Sequence, residues 1–150
     1  MTSRFTSVTF RNYKALKQFS LALNEFNVLV GPNNAGKSTI VGVFRILSEG
    51  IRRASSRKPI YIDHESIRSP GYNVPLEGLP VATENIFTNY DDSDLATIEF
   101  RLSSGNKLRL VFPENELCYL LCDAKDKQIR TPSEFKKTYN VSVGFVPVLG

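Results

Sequence analysis

The 150-residue sequence predicts one α/β domain: a mixed sheet with an antiparallel β subdomain, covered by a long amphipathic helix. Three observations carry that prediction. Apolar residues alternate at period two in several segments, one uninterrupted apolar run ends at glycine, and the stretch after it has helical spacing. A composition of 41% hydrophobic and 23% charged residues suits a packed globular domain, and 9 Gly with 8 Pro exclude collagen-like and low-complexity classes.

The elements follow in order. Phe5 to Phe10 sets Thr6, Val8 and Phe10 on one side, and Phe19, Leu21 and Leu23 repeat the pattern after Lys14 to Gln18, which predicts two antiparallel strands. Phe26 to Val30 is a short apolar run of the kind that both faces of a sheet bury, and it predicts the central strand. Ile40, Val43, Phe44, Leu47 and Ile51 then recur at helical spacing, so a helix is expected from about Lys37 to Arg53, with Gly50 weakening only its last turn. Between residues 55 and 94 the periodicity fails. Prolines at 59, 70, 75 and 80, with Gly71 and Gly78, predict a long and mostly irregular excursion. Alternation returns in ATIEFRL and KLRLVF around an SSGN turn, which predicts a hairpin with Ile98, Phe100, Leu102, Leu108, Leu110 and Phe112 inward. Leu117 to Cys122 is the next expected strand. Thr131, Pro132 and Glu134 form a capping box that opens a short helix through Tyr139, and Val141 to Val146 is a last strand.

No apolar run is long enough to span a membrane and no secretory leader opens the chain, so a cytoplasmic protein is expected. Cys118 and Cys122 are too few for a disulfide framework; four apart on one strand they share a face, and they read as reduced, buried thiols. The net charge of +4 is unevenly spread: residues 1–60 carry ten Lys or Arg against two Glu, residues 61–100 one Arg against eight acids, and residues 101–150 eight bases against five acids. A basic amino-terminal third suits partners that carry phosphate, and equally suits scattered solvated side chains.

One segment specifies chemistry. Gly31-Pro32-Asn33-Asn34-Ala35-Gly36-Lys37-Ser38 satisfies the phosphate-binding loop pattern GxxxxGK[ST] at every fixed position, after a predicted buried strand and at the start of a predicted helix. Gly31 and Gly36 permit a backbone approach that side chains would block, so the N–H groups of the loop, Ala35 included, can converge on phosphates. The helix start adds its unsatisfied N–H groups and positive dipole end. Lys37 is the residue expected to bridge the β and γ phosphates, Ser38 to place its hydroxyl on Mg²⁺, and Thr39 to neighbour the α phosphate. The sequence has neither a DxxG after a strand nor an NKxD tetrapeptide, which favours ATP over GTP.

Other constellations are weaker. Leu117 to Asp123 resembles an apolar strand whose terminal acid holds Mg²⁺, but Ala124 stands where a catalytic Glu is expected, and Asp123 reads equally as a strand-end turn residue. Asp63, His64 and Glu65 are consecutive, and consecutive residues seldom converge on one ion, so a solvated loop is the expectation there. Asp91, Asp92 and Asp94 read as a polar turn. Arg11 or Tyr13, between the first two strands, could stack on adenine.

The run FNVLVGPNNAGKSTIV, preceded by VTFRNYKAL and FSLAL, resembles the amino-terminal half of an ABC-type ATPase head, closest to the RecF, SMC and OLD group. The likeness is specific over residues 5 to 50 and topological from residue 55 onward. It implies a P-loop NTPase fold of the first head lobe, with ATP and Mg²⁺ as cofactors and Arg11 and Asn12 beside the nucleotide. Asn33 or Asn34 would face the γ phosphate or a partner head. It also implies a site completed by a second head, with DNA or a nuclease effector as further partners, in DNA repair or defence against phage. The family's LSGGQ-like signature, Q-loop glutamine, Walker B acids and switch His are absent from the sequence. They are therefore expected beyond Gly150, which would make the chain the front part of a larger ATPase that binds ATP and turns it over only with those segments. Two other readings stay open: a self-contained small P-loop kinase, with residues 55–94 as acceptor site and lid, and a nucleotide-dependent interaction module without turnover.

Overall fold

The computed structural model describes residues 3–14, 16–23, 35–64, 67–79, 86, 94–125 and 127–141, with the side chains of 35–38 outside that description. In chain order its elements are β1 (Phe5–Tyr13), β2 (Leu16–Ala22), α1 (Ala35–Ala54), β3 (Ile60–His64), β4 (Ile67–Asn73), β5 (Ala96–Leu102), β6 (Lys107–Glu114), β7 (Leu117–Asp123) and α2 (Pro132–Thr138). The strands form one seven-stranded sheet in the order β2-β1-β5-β6-β7-β4-β3. Every pairing among the described residues is antiparallel. The parallel component of the expected mixed sheet required the strand at 26–30, which lies outside the described residues, as do residues 142–146 of the expected last strand.

β1 and β2 pair with Val8 opposite Leu21 and Phe10 opposite Phe19, as the alternation predicts. Both strands run further than expected: β2 begins at Leu16, inside the segment read as a connection. The cause is backbone conformation. Asn12 and Lys14 have φ of 53° and 52°, left-handed values that turn the chain sharply and break the period-two rule. Phe10 and Tyr13 therefore both reach the core although three residues apart.

α1 lies on one face of the sheet and begins and ends slightly beyond the expected bounds. Ile40, Val43 and Leu47 are buried as the spacing predicts, and Ile46 joins them. Phe44 makes edge-on ring contacts with Phe5 at 6.1 Å and Phe100 at 5.4 Å, which ties the helix to β1 and β5. Further along, Gly50 is a contact point instead of a weak spot. A Cβ there would lie 3.2 Å from Leu120 Cδ2 and 3.4 Å from Val74 Cγ2, so glycine lets the helix approach β7 and the segment after β4.

The β5–β6 hairpin matches its prediction, with all six inward residues buried and the turn closed by Gly105 at φ 93°. The excursion at 55–94 does not: within it β3 and β4 form an antiparallel hairpin with Ile62 opposite Ser69. This corrects the irregular reading of residues 60–73. Ile62 and Ile67 close a small apolar cluster with Val111 and Leu121 on the sheet face away from α1. Gly71, which looks like loop punctuation, is a packing requirement, because a Cβ would sit 2.6 Å from Ile62 Cδ1 and 2.9 Å from the Leu120 carbonyl. Pro70 is tolerated because β4 pairs with β7 only at Tyr72–Leu120 and Asn73–Tyr119, leaving Pro70 outside that ladder.

α2 starts as the capping box predicts. Thr131 has an extended backbone, its Oγ1 accepts from the Glu134 N–H at 3.1 Å, and Pro132 follows at the first helical position. Replacing Thr131 by alanine should lower unfolding free energy by about 1 kcal/mol, read as a reduced denaturation midpoint at unchanged m. Cys118 and Cys122 are free thiols that pack toward the α1 face, the first buried and the second half-buried. Burial pushes the Cys122 thiol up to about 12 and Cys118 above the usual thiol range, so both stay protonated and poorly nucleophilic at neutral pH. Among the described residues, no helix is long and apolar enough to cross a membrane.

Candidate functional site

The phosphate-loop pattern meets regular structure at Ala35, where α1 begins, so Gly36, Lys37 and Ser38 occupy the first turn of a 20-residue helix. That turn contains no acidic residue, while Arg52 and Arg53 stand in the last turn. The two arginines complement the macrodipole at the carboxy-terminal end, and no carboxylate of the first turn competes with an anion for its free N–H groups. The free backbone N–H groups of that turn suit an anion. Gly31, Asn33 and Asn34 lie outside the described residues, and so do the side chains of Ala35, Gly36, Lys37 and Ser38. Thr39 is the first side chain described in α1 and is half-buried. About two turns beyond the helix start, the rings of Phe5, Phe44 and Phe100 pack together and tie α1 to β1 and β5.

Arg11, Asn12 and Tyr13 end β1, and the structure separates their roles. Arg11 is exposed, with its backbone between Gln18 of β2 and Thr97 of β5. Strand alternation sets it on the face opposite Phe10, hence away from α1. The Asn12 side-chain amide donates to the Asp94 carbonyl at 3.2 Å, which ties the β1–β2 turn to the start of β5. Arg11, Asn12, Lys17, Gln18, Asp94 and Thr97 border an open cleft of about 490 Å³ together with Leu95. Tyr13 does not border it. Its side chain is 1% exposed and its ring packs edge-on against Phe112 at 5.3 Å and near Phe10 at 6.2 Å, so the stacking role suggested for it is withdrawn. Burial raises its hydroxyl pKa far above the usual tyrosine value. The sequence reading did not single out Lys17 and took Asp94 only as a turn residue, so neither was placed at this cleft. Asp94 is 82 residues from Asn12, and no local pattern joins them.

The weaker constellations resolve toward their plainer readings. Asp63 pairs with Arg68 at 3.6 Å, both side chains largely exposed, an arrangement that contributes little stability. His64 is half-buried on β3 with its Nδ1 unpartnered, and Glu65 lies outside the described residues. Asp94 Oδ1 accepts from the Leu95 N–H at 2.8 Å, as expected of a turn acid, while Asp91 and Asp92 lie outside the described residues. Asp123 is exposed at the end of β7, in register with Lys107 of β6. Among the described residues no group of three or more His, Cys, Asp or Glu could hold a metal ion.

A phosphate-loop pattern at the start of a helix, packed on a largely antiparallel sheet, has a counterpart among known families. Residues 4–144 match the model of the AAA ATPase domain. The chain belongs to that family. An AAA ATPase domain implies nucleotide binding and ATPase-type chemistry. The chain is also 34% identical over 79 residues to the "Old nuclease" of Escherichia phage P2. That stretch is 53% of this chain but 12% of the phage protein, so the chain corresponds to a small part of that relative.

Proposed function

We propose that this chain is the ATP- and Mg²⁺-binding portion of an ABC-type ATPase head, its sheet and α1 forming part of the first lobe. The carrying observation is the placement of Gly36-Lys37-Ser38 in the first turn of α1, a turn without acids. The family match and the similarity to the Old nuclease support it. In this reading backbone N–H groups of residues 31–38 bind the phosphates, and the Lys37 ammonium spans the β and γ groups and neutralises charge that grows there in phosphoryl transfer. Mg²⁺ would be held in part by the Ser38 hydroxyl and would supply Lewis-acid activation of the terminal phosphoryl group. Ser38 supplies its hydroxyl as one ligand, which suits an ion that keeps several waters and needs few protein donors. Asn12, at the turn that ends β1, is the residue assigned to the nucleoside part, since Arg11 faces away from α1.

Turnover needs an oriented water and a signature segment over the phosphates, and we assign these to a second head and to Walker B and signature segments outside this sequence. The larger assembly would be an OLD- or RecF-like protein in DNA repair or defence against phage, located in the cytoplasm. Calorimetric titration with ATP and Mg²⁺, followed by sedimentation with ATP or ADP, tests this. Expected are one ATP per chain, self-association with ATP only, and phosphate release too slow for a competent enzyme. Absence of ATP binding would remove the proposal, and phosphoryl transfer to a small metabolite would favour a kinase instead.

A further inference from the structure

We infer that the cleft where β4 and β7 part captures the carboxy terminus of an extended peptide whose last residue is apolar. The parting has an identifiable cause. β4 pairs with β7 only at Tyr72–Leu120 and Asn73–Tyr119, and continuing that antiparallel register sets Pro70 opposite Cys122. The Val74 N–H donates to the Cys118 carbonyl at 2.9 Å, so Cys118 turns its main-chain groups toward β4. At period two, Leu120 and Cys122 turn theirs the same way. Pro70 has no N–H to give the Cys122 carbonyl, and the ladder stops there.

The opening that results is a cleft of about 260 Å³, smaller than the pockets that take drug-sized ligands and suited to a short piece of extended chain. Pro70 and Cys122 border it, and Leu121 and Ile129 give it apolar walls. Tyr72 borders it as well. This residue is 3% exposed, and its buried hydroxyl has no hydrogen-bond partner among the described residues. A buried polar group in that position calls for a partner. Burial raises its pKa, so at neutral pH it is a protonated donor. Arg109 and Lys127, both exposed, line the same cleft, and neither has an ion-pair partner among the described residues. Asp123 is the acid they share it with, so positive charge prevails.

A peptide end supplies the complement of each of these groups. Its last N–H can reach the Cys122 carbonyl, replacing the donor that Pro70 lacks, as a strand added to a free edge does. Its carboxylate matches the two cations, and a carbonyl or carboxylate oxygen accepts from the Tyr72 hydroxyl. An apolar last side chain covers Leu121 and Ile129. An inorganic anion would answer the cations alone and leave the Cys122 carbonyl and the apolar walls unmatched.

Fluorescence anisotropy on the full chain, with a labelled hexapeptide ending in leucine as the free acid and as the carboxamide, tests the cleft. The acid should bind at least about tenfold more tightly than the amide. Arg109→Gln combined with Lys127→Gln should remove that preference, bringing the acid to within about twofold of the amide. Tyr72→Phe keeps the ring and should weaken binding of the acid about fivefold with no loss of thermal midpoint. Benzoate, which has a carboxylate and a ring but no N–H for Cys122, should compete far more weakly than unlabelled peptide. Equal affinity for acid and amide, no effect of either variant, benzoate competing as well as the peptide, or no binding by the parent chain would each overturn the inference. Lys37→Ala should retain peptide affinity, so the outcome at this cleft is separate from the outcome for ATP.

Discussion

Replacing Lys37 with alanine is expected to weaken triphosphate binding at least about a hundredfold while leaving the thermal transition almost unchanged. A charge-assisted contact from an ammonium to two phosphate groups is worth about 3 kcal/mol when both partners lose water. Lys37 is the single cation in the first turn of α1, and the next in the helix, Arg45, lies about two turns on, so no neighbour in that turn can take its place. Diphosphate binding should suffer less, because only one of the two bridged groups remains. Calorimetric titration of ATP and ADP into both proteins measures the difference. Unchanged ATP affinity in a folded variant would sink the phosphate-loop assignment. Arginine at position 37 should not restore binding, since a planar fork does not reproduce a compact point charge inside a backbone cradle.

Replacing Phe100 with alanine should cost about 3–5 kcal/mol of unfolding free energy, a large share of the stability of a domain of this size. Phe100 is fully buried at the centre of β5 and contacts both Phe5 at 6.0 Å and Phe44 at 5.4 Å. Truncation leaves a void under α1 that three elements would have to collapse to fill. Chemical denaturation, with the midpoint compared at constant m, reads the loss. Because Phe44 anchors the helix one turn beyond Thr39, the same variant should also bind ATP more weakly when assayed under strongly folding conditions. Phe100→Leu keeps most of the volume and should recover more than half of both effects. A loss below about 1 kcal/mol for the alanine variant would mean that the ring triad is not what seats the helix.

Several elements were legible because local physics decided them. The Thr131 cap, the β5–β6 hairpin with its six inward residues and the amphipathic stripe of α1 each depend on residues within about fifteen positions of one another. The β3–β4 hairpin was not legible, since Pro70 and Gly71 carry the usual signs of a loop. Gly71 is instead demanded by Leu121 and the Leu120 carbonyl, fifty residues away in the chain. Tyr13 was misread as available for stacking because alternation could not anticipate the left-handed Asn12 that turns its ring inward.

The sequence by itself showed the phosphate-loop pattern and predicted the helix behind it, because four fixed positions and a helical stripe act over short range. Only the tertiary structure decided the rest of the surface. Sheet order brings residues 94–97 beside residues 11–18, carries the ends of α1 and β3 to one edge, and selects which aromatics face solvent. Strand pairing across 80 and more residues is fixed by the simultaneous burial of both sheet faces. That is a condition on the whole chain, and no segment states it alone.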